Sequence, residues 1–178
     1  MIKDVERVLI SEEQIKEAVE RIAKEIEKDF EGKEVLFVGL LKGSIAFMAD
    51  LLKAYQKTCT IDFMDVSSYG AGTQSTGRVN IIKDLSQPID GKDIVIVEDI
   101  IDSGNTLSFI KAYFAAKNAN SVKICTLLNK PDRRVVDIDV DYIGYDIPDE
   151  FVVGYGLDYD EHYRNLPYIG ILDRSVYS

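Results

Sequence analysis

The 178 residues are 46% hydrophobic and 29% charged, which suits one soluble globular domain with a real core. Acidic residues number 31 against 21 Lys and Arg, and the net charge of −10 argues against broad binding to nucleic acid or to an anionic membrane. No signal-peptide pattern or apolar run of spanning length occurs, so a cytoplasmic protein is expected, and Cys59 and Cys125, at no metal-ligand spacing, read as buried free thiols.

Ser11 followed by Gln14 has the form of a capping box. Beyond it Ile15, Ala18, Val19, Ile22, Ala23 and Ile26 recur at helical spacing among Glu, Lys and Arg, which predicts an amphipathic helix packed on a sheet. Val35 to Leu41 is a short apolar strand ending in Leu41-Lys42-Gly43-Ser44, and a second helix pattern covers Ile45 to Tyr55. Thr60 to Val66 alternates around Ile61, Phe63 and Val66 and reads as a strand.

Ser67 to Gly77 is small and polar apart from Tyr69. Its glycines at 70, 72 and 77 do not form a dinucleotide fingerprint, because the third is misplaced and no helix pattern follows. Such a loop suits a lid or a plain surface connection. Arg78 to Lys83 suggests a strand returning from it.

Asp93 to Leu107 is the most informative stretch. Ile94 to Val97 are four β-branched residues in a row, as in a strand buried on both faces. The run stops at Glu98 and Asp99, and Asp102-Ser103-Gly104-Asn105-Thr106 follows as a polar turn. Leu107, Ile110, Tyr113 and Phe114 then recur at helical spacing. A strand, a small polar loop and a helix start make an anion site at the carboxyl edge of a parallel sheet. Gly104 lets the backbone approach closely, and Ser103 and Thr106 add hydroxyls. Carboxylates repel a bare phosphate, so Glu98 and Asp99 suit sugar hydroxyls or a divalent metal; as isolated acids they would read as solvated.

Ser121 to Asn129 and Val140 to Tyr145 supply two more strands, the first ending at Lys130-Pro131. Strands alternating with helices indicate an α/β fold with a mostly parallel, doubly wound sheet. Phe151 to Tyr159 breaks the alternation and reads as a small added lobe. His162 has no His or Cys partner at ligand spacing and reads as surface.

Ile-Val-Glu-Asp-Ile-Ile-Asp-Ser-Gly-Asn-Thr-Leu, residues 96–107, closely resembles the phosphoribosyl pyrophosphate (PRPP) signature of the type I phosphoribosyltransferases, in particular the hypoxanthine phosphoribosyltransferases of the 6-oxopurine branch. The resemblance extends over nearly the whole chain. It implies the family's fold over residues 1–178, a central mostly parallel sheet flanked by helices. A small hood is built mainly from about 145–178 together with N-terminal residues.

The resemblance also implies roles. Asp102, Ser103, Gly104, Asn105 and Thr106 would hold the 5′-phosphate, and Glu98 and Asp99 the ribose and a metal. Leu41, Lys42 and Gly43 match the pyrophosphate loop, with a cis peptide before the lysine, and Arg164 matches an arginine that contacts pyrophosphate. Ser68 and Tyr69 match a lid. Lys130 corresponds to the lysine that recognises the purine O6, Phe151 to the ring that stacks on the base, and Val152 to its backbone contacts. Ile100 would pack on the opposite face, and Asp158 would belong to the purine site and attend a second Mg²⁺. Asp102 matches the general acid/base at purine N7; the alternative for it is a helix N-cap, for which Asp is a favoured residue. Asn105 stands where some members have lysine.

The implied activity is Mg²⁺-dependent transfer of phosphoribosyl from PRPP to hypoxanthine, with guanine second, giving the nucleoside monophosphate and pyrophosphate. Small molecules would be its partners, with no nucleic acid and no membrane, in a homo-oligomer, dimer or tetramer. The alternative is a PRPP-sensing regulator that binds nucleic acid. The net charge of −10 speaks against that reading.

Overall fold

A computed structural model describes residues 2–68 and 78–178. In chain order the elements are β1 (Val5–Ile10), α1 (Glu12–Asp29), β2 (Val35–Leu41), α2 (Ile45–Ala54), β3 (Cys59–Ser68), β4 (Val79–Lys83), β5 (Asp93–Ile101), α3 (Asn105–Ala116), β6 (Ser121–Asn129), β7 (Tyr142–Asp146), β8 (Val152–Val153), β9 (Ile169–Leu172) and α4 (Arg174–Tyr177).

The capping box at the start of α1 forms as expected: Gln14 N–H donates to Ser11 Oγ at 3.2 Å and Ser11 N–H to Gln14 Oε1 at 2.9 Å. Its six periodic apolar residues, Ile15 to Ile26, are all buried. Each large aliphatic side chain stabilises by about 1.5–3 kcal/mol on burial, against about 1 kcal/mol for a cap. Packing therefore makes the helix, and the box sets where it begins.

Six strands form the main sheet in the order β4-β3-β2-β5-β6-β7, parallel except for the antiparallel edge strand β4. Phe37 of β2 lies opposite Ile61 on one side and Val95 on the other. Both faces are covered, which is why β2 and β5 are continuous apolar runs. Phe37, Val95 and Val97 pack with α1 and α2, whereas Leu36, Val38, Ile94 and Ile96 pack with Leu107, Ile110 and Phe114 of α3.

A second sheet, β1-β9-β8, is antiparallel and joins the two ends of the chain, with Val5 opposite Leu172 and Val152 opposite Ile171. Asp4 reinforces it by accepting the Tyr163 hydroxyl at 2.8 Å. Among the described residues no helix is long and apolar enough to cross a membrane.

The structure corrects three local expectations. Ser67 and Ser68 are strand rather than loop, because β4 supplies an antiparallel partner: Ser67 pairs with Asn80 and Ser68 with Val79. Tyr69 and the remainder of the expected lid lie outside the described residues. Glu98 and Asp99 do not end β5, since Ile100 and Ile101 still pair with Leu128 and Asn129 of β6. Cys59 is only half-buried, at the start of β3, whereas Cys125 is fully buried and its thiol is pushed up by burial.

Candidate active site

The parallel strands β2, β5 and β6 end at one edge of the sheet, and the expected chemistry gathers there. Cross-strand pairing lapses at Asp99, and the carboxylates take the local backbone donors. Asp99 N–H donates to Glu98 Oε1 at 2.9 Å and Ile100 N–H to Asp99 Oδ1 at 2.6 Å. Burial pushes the Glu98 carboxyl well above its usual range, and the adjoining Asp99 adds to the effect. Burial raises Asp99 too, against the opposing pull of Glu98, the Ile100 N–H and Arg164. Two carboxylates so pressed together are relieved by hydroxyl donors or by a cation.

The next residues form the loop expected to hold an anion. Gly104 is the N-cap of α3 at φ +85°, a left-handed conformation that L side chains rarely adopt. Asp102 is therefore not the N-cap; its side chain is exposed and makes no hydrogen bond among the described residues. Asn105 N–H donates to Ser103 Oγ at 3.3 Å, while the N–H groups of Thr106 and Leu107 have no carbonyl partner within the helix. A cavity of about 230 Å³ opens there, lined by Glu98, Ile100 and the loop residues Asp102, Ser103, Gly104 and Thr106. Its chemistry is a row of N–H and hydroxyl groups with a carboxylate at one side, which fits a phosphate joined to a sugar.

The segment after β6 braces this loop from behind. Val135 N–H and Val136 N–H donate to the Ser103 carbonyl at 3.0 and 3.3 Å. Arg134 Nε donates to the Asp102 carbonyl at 3.0 Å, and its Nη2 donates to Asn129 Oδ1. Sequence reasoning missed Arg134. Its signal, two consecutive arginines after Lys130-Pro131, is also that of a solvated turn.

At the end of β2 the Leu41–Lys42 peptide is cis, as the resemblance implies. Gly43 follows, and a Cβ there would fall on the Asp99 carboxylate. The loop thus lies directly against the acid pair. Gly156, at φ +98°, packs from the other side so closely that a Cβ would fall on the Gly43 carbonyl oxygen. Arg164 Nη1 donates to the Gly156 carbonyl at 2.7 Å, and its Nη2 lies 3.3 Å from Asp158 Oδ1. Arg164 Nε and Ser44 Oγ are buried without hydrogen-bond partners among the described residues. Leu41, Lys42, Gly43, Asp158 and Arg164, which are scattered in sequence, are brought together around an edge suited to a large anion.

The residues expected at a purine come from β5, the end of β6 and the start of β8. Lys130 is buried, with Nζ 3.6 Å from Asp149 Oδ1, and its N–H donates to the Ile101 carbonyl at 3.0 Å. Ile100 is half-buried at the end of β5 and lines the cavity at the Asp102–Thr106 loop. Val152 is buried in β8, while the neighbouring Phe151 ring is 37% exposed. That ring stacks on Tyr177, with centroids 4.9 Å apart and planes at 27°, and meets Tyr159 edge-on at 5.6 Å. Tyr177, in α4, carried no sequence signal for this place.

No group of three or more potential metal ligands occurs among the described residues. Asp158 faces Arg164 rather than the Glu98–Asp99 pair. Two adjoining carboxylates still fit Mg²⁺, which is commonly held by one or two carboxylates together with substrate phosphates and water.

Residues 10–160 match the phosphoribosyl transferase domain family. The chain is 52% identical over 177 residues to the hypoxanthine-guanine phosphoribosyltransferase of Bacillus subtilis strain 168, covering 99% of this chain and 98% of that protein. It is also 52% identical over 178 residues to the bifunctional protein TilS/HprT of Listeria monocytogenes serovar 1/2a, of whose length it spans 28%. The structure is similar to the crystal structure of a hypoxanthine phosphoribosyltransferase from Staphylococcus aureus, with a TM-score of 0.95, 52% identity, and coverage of 98% of this chain and 95% of that one.

Proposed function

The chain belongs to the phosphoribosyl transferase family, and on that footing we propose that it is a purine-salvage enzyme that transfers phosphoribosyl from PRPP to hypoxanthine, and to guanine, releasing pyrophosphate. The observation that carries the reading is the meeting, at one edge of the sheet, of an anion loop (Asp102–Thr106), a carboxylate pair (Glu98, Asp99) and a second anion loop (Lys42, Gly43). Phosphate, ribose and pyrophosphate follow one another in PRPP in that same order.

In this reading the 5′-phosphate takes the N–H groups of the α3 start, and the ribose hydroxyls donate to Glu98 and Asp99. Lys42, the Gly43 backbone and Arg164 attract the pyrophosphate. The base lies between Ile100 and the Phe151 ring, with Lys130 at its O6 and Val152 at its edge. Purine N9 attacks the anomeric carbon as the bond to pyrophosphate breaks, and the exposed Asp102 carboxylate takes or shares the N7 proton. Holding base and sugar in line is itself a large contribution, because it removes the entropy of bringing them together. Mg²⁺, held by Glu98 and Asp99 and with Asp158 near a second ion, would neutralise charge on the departing pyrophosphate. Ser68 ends β3, and the lid role that the family assigns to Ser68 and Tyr69 would exclude water, which competes for a cationic sugar. A cytoplasmic location and a homo-oligomer complete the proposal.

The test is pyrophosphate release from PRPP and Mg²⁺ with hypoxanthine, guanine, xanthine, adenine and uracil offered singly. Turnover with hypoxanthine or guanine is expected. Turnover with uracil alone would retain the PRPP site and overturn the purine assignment. Tight PRPP binding without turnover on any base would favour a regulator.

A further inference from the structure

We propose that Glu161 is an internal counter-ion of the pyrophosphate subsite, displaced when pyrophosphate binds and returning as it leaves. The inference rests on the reading of Lys42 and Arg164 given above. A single carboxylate spans both cations: Glu161 Oε2 accepts Lys42 Nζ at 2.7 Å, and Oε1 accepts Arg164 Nη2 at 3.0 Å. It thus stands where an entering phosphoryl oxygen would have to bond.

The backbone gives an independent reason to regard the residue as placed. Tyr159 and His162 exchange both backbone hydrogen bonds, at 3.2 and 3.0 Å, closing a tight two-residue turn over Asp160 and Glu161. Both central residues have positive φ, +50° and +64°, where Asn and Gly are the usual occupants. A glutamate there goes against local preference, and such departures gather at functional sites. Asp158 Oδ2 holds the turn by accepting Glu161 N–H at 2.9 Å.

The contact is also built to be broken. The Lys42 and Glu161 side chains are 63% and 60% exposed, so water and salt weaken their attraction. A pyrophosphate, with more charge and more acceptor oxygens than one carboxylate, outcompetes it for the same donors. With Glu161 present the two cations are never left without a partner, and pyrophosphate is held less tightly than they alone would hold it. The residue therefore trades pyrophosphate affinity for release.

The experiment compares wild type with Glu161→Gln and Glu161→Ala, measuring the Kd of Mg²⁺-pyrophosphate by calorimetry and the turnover of hypoxanthine. Both variants are expected to bind pyrophosphate roughly three- to tenfold more tightly, the size of one exposed and one partly buried ion pair, and to release it correspondingly more slowly. Unchanged affinity in both, with wild-type turnover normal, would overturn the counter-ion role and leave the proposed function standing. Weakened affinity would overturn it too, by showing that Glu161 supports Arg164 rather than competing for it. Absence of both turnover and pyrophosphate binding in the wild type would overturn both readings.

Discussion

Gly156 lies against Gly43 with no room for a side chain between them: a Cβ on Gly156 would fall on the Gly43 carbonyl oxygen. This contact joins the turn after β8 to the loop after β2, and so sets how closely Arg164 and Asp158 approach Lys42. Gly156→Ala should lose roughly 1–2 kcal/mol from the left-handed backbone alone, or about 2–8 °C in Tm, and should raise the KM for PRPP. Gly91→Ala is the control. Gly91 also has a positive φ, +72°, but has no atom within 4 Å of the added Cβ. It should show only the backbone part of that loss of Tm, with the KM for PRPP unchanged; equal KM values in the two variants would show that the contact does not shape the site.

The Phe151 ring stacks on Tyr177, and in the proposed reading it holds the base and not PRPP. Stacking on an aromatic ring is worth about 1–3 kcal/mol per base, so Phe151→Ala should raise the KM for hypoxanthine roughly tenfold or more while leaving that for PRPP within about twofold. Tyr177→Ala leaves the Phe151 ring in place but unsupported, and a smaller rise is expected. Steady-state kinetics with each substrate varied in turn decides this. A rise in both KM values would place Phe151 outside the base site.

Stability at low pH should depend on Asp29, far from the site. Tyr142 donates its hydroxyl to Asp29 Oδ2 at 2.6 Å and holds the carboxyl below its usual range, with Lys123 3.6 Å away helping and burial opposing. A carboxyl depressed on folding stabilises the protein above its unfolded pKa of about 4, and that stability is lost as pH falls through the folded value. Asp29 is 43% exposed, so after screening the pair is worth about 1 kcal/mol or less. Tyr142→Phe should therefore melt lower than wild type at pH 7, with the gap closing below about pH 4. A gap that persists at pH 3 would assign the difference to packing rather than to the ionised pair.

How legible each part was in the sequence depends on whether its cause is local. The helix α1 was legible because its cap and its six buried residues lie within sixteen positions of one another. The loop at Gly104 was legible because a strand, a glycine and a helix start follow directly. The strands β1 and β9 were not, since each is stabilised by pairing with the opposite end of the chain: Val5 with Leu172 and Ile10 with Ile169. Glu161 and Arg134 were missed for the same reason, their partners Lys42 and Asp102 being 119 and 32 positions away. Asp102 as an N-cap was a sound local reading that lost to Gly104, whose positive φ starts α3 two residues later.

The measurement that bears most directly on the central claim is the effect of Asp102→Asn on turnover at saturating PRPP and hypoxanthine, with the Kd for PRPP measured alongside. The Asp102 side chain is exposed and bears no hydrogen bond among the described residues, so the variant should fold and melt as wild type does. A carboxylate that takes the purine proton is worth about 10²–10⁴-fold in rate. The expected result is a loss of kcat of that size, with PRPP affinity within about twofold. A kcat equal to that of wild type would contradict the account, because it would remove the acid/base from the loop on which the whole site is built.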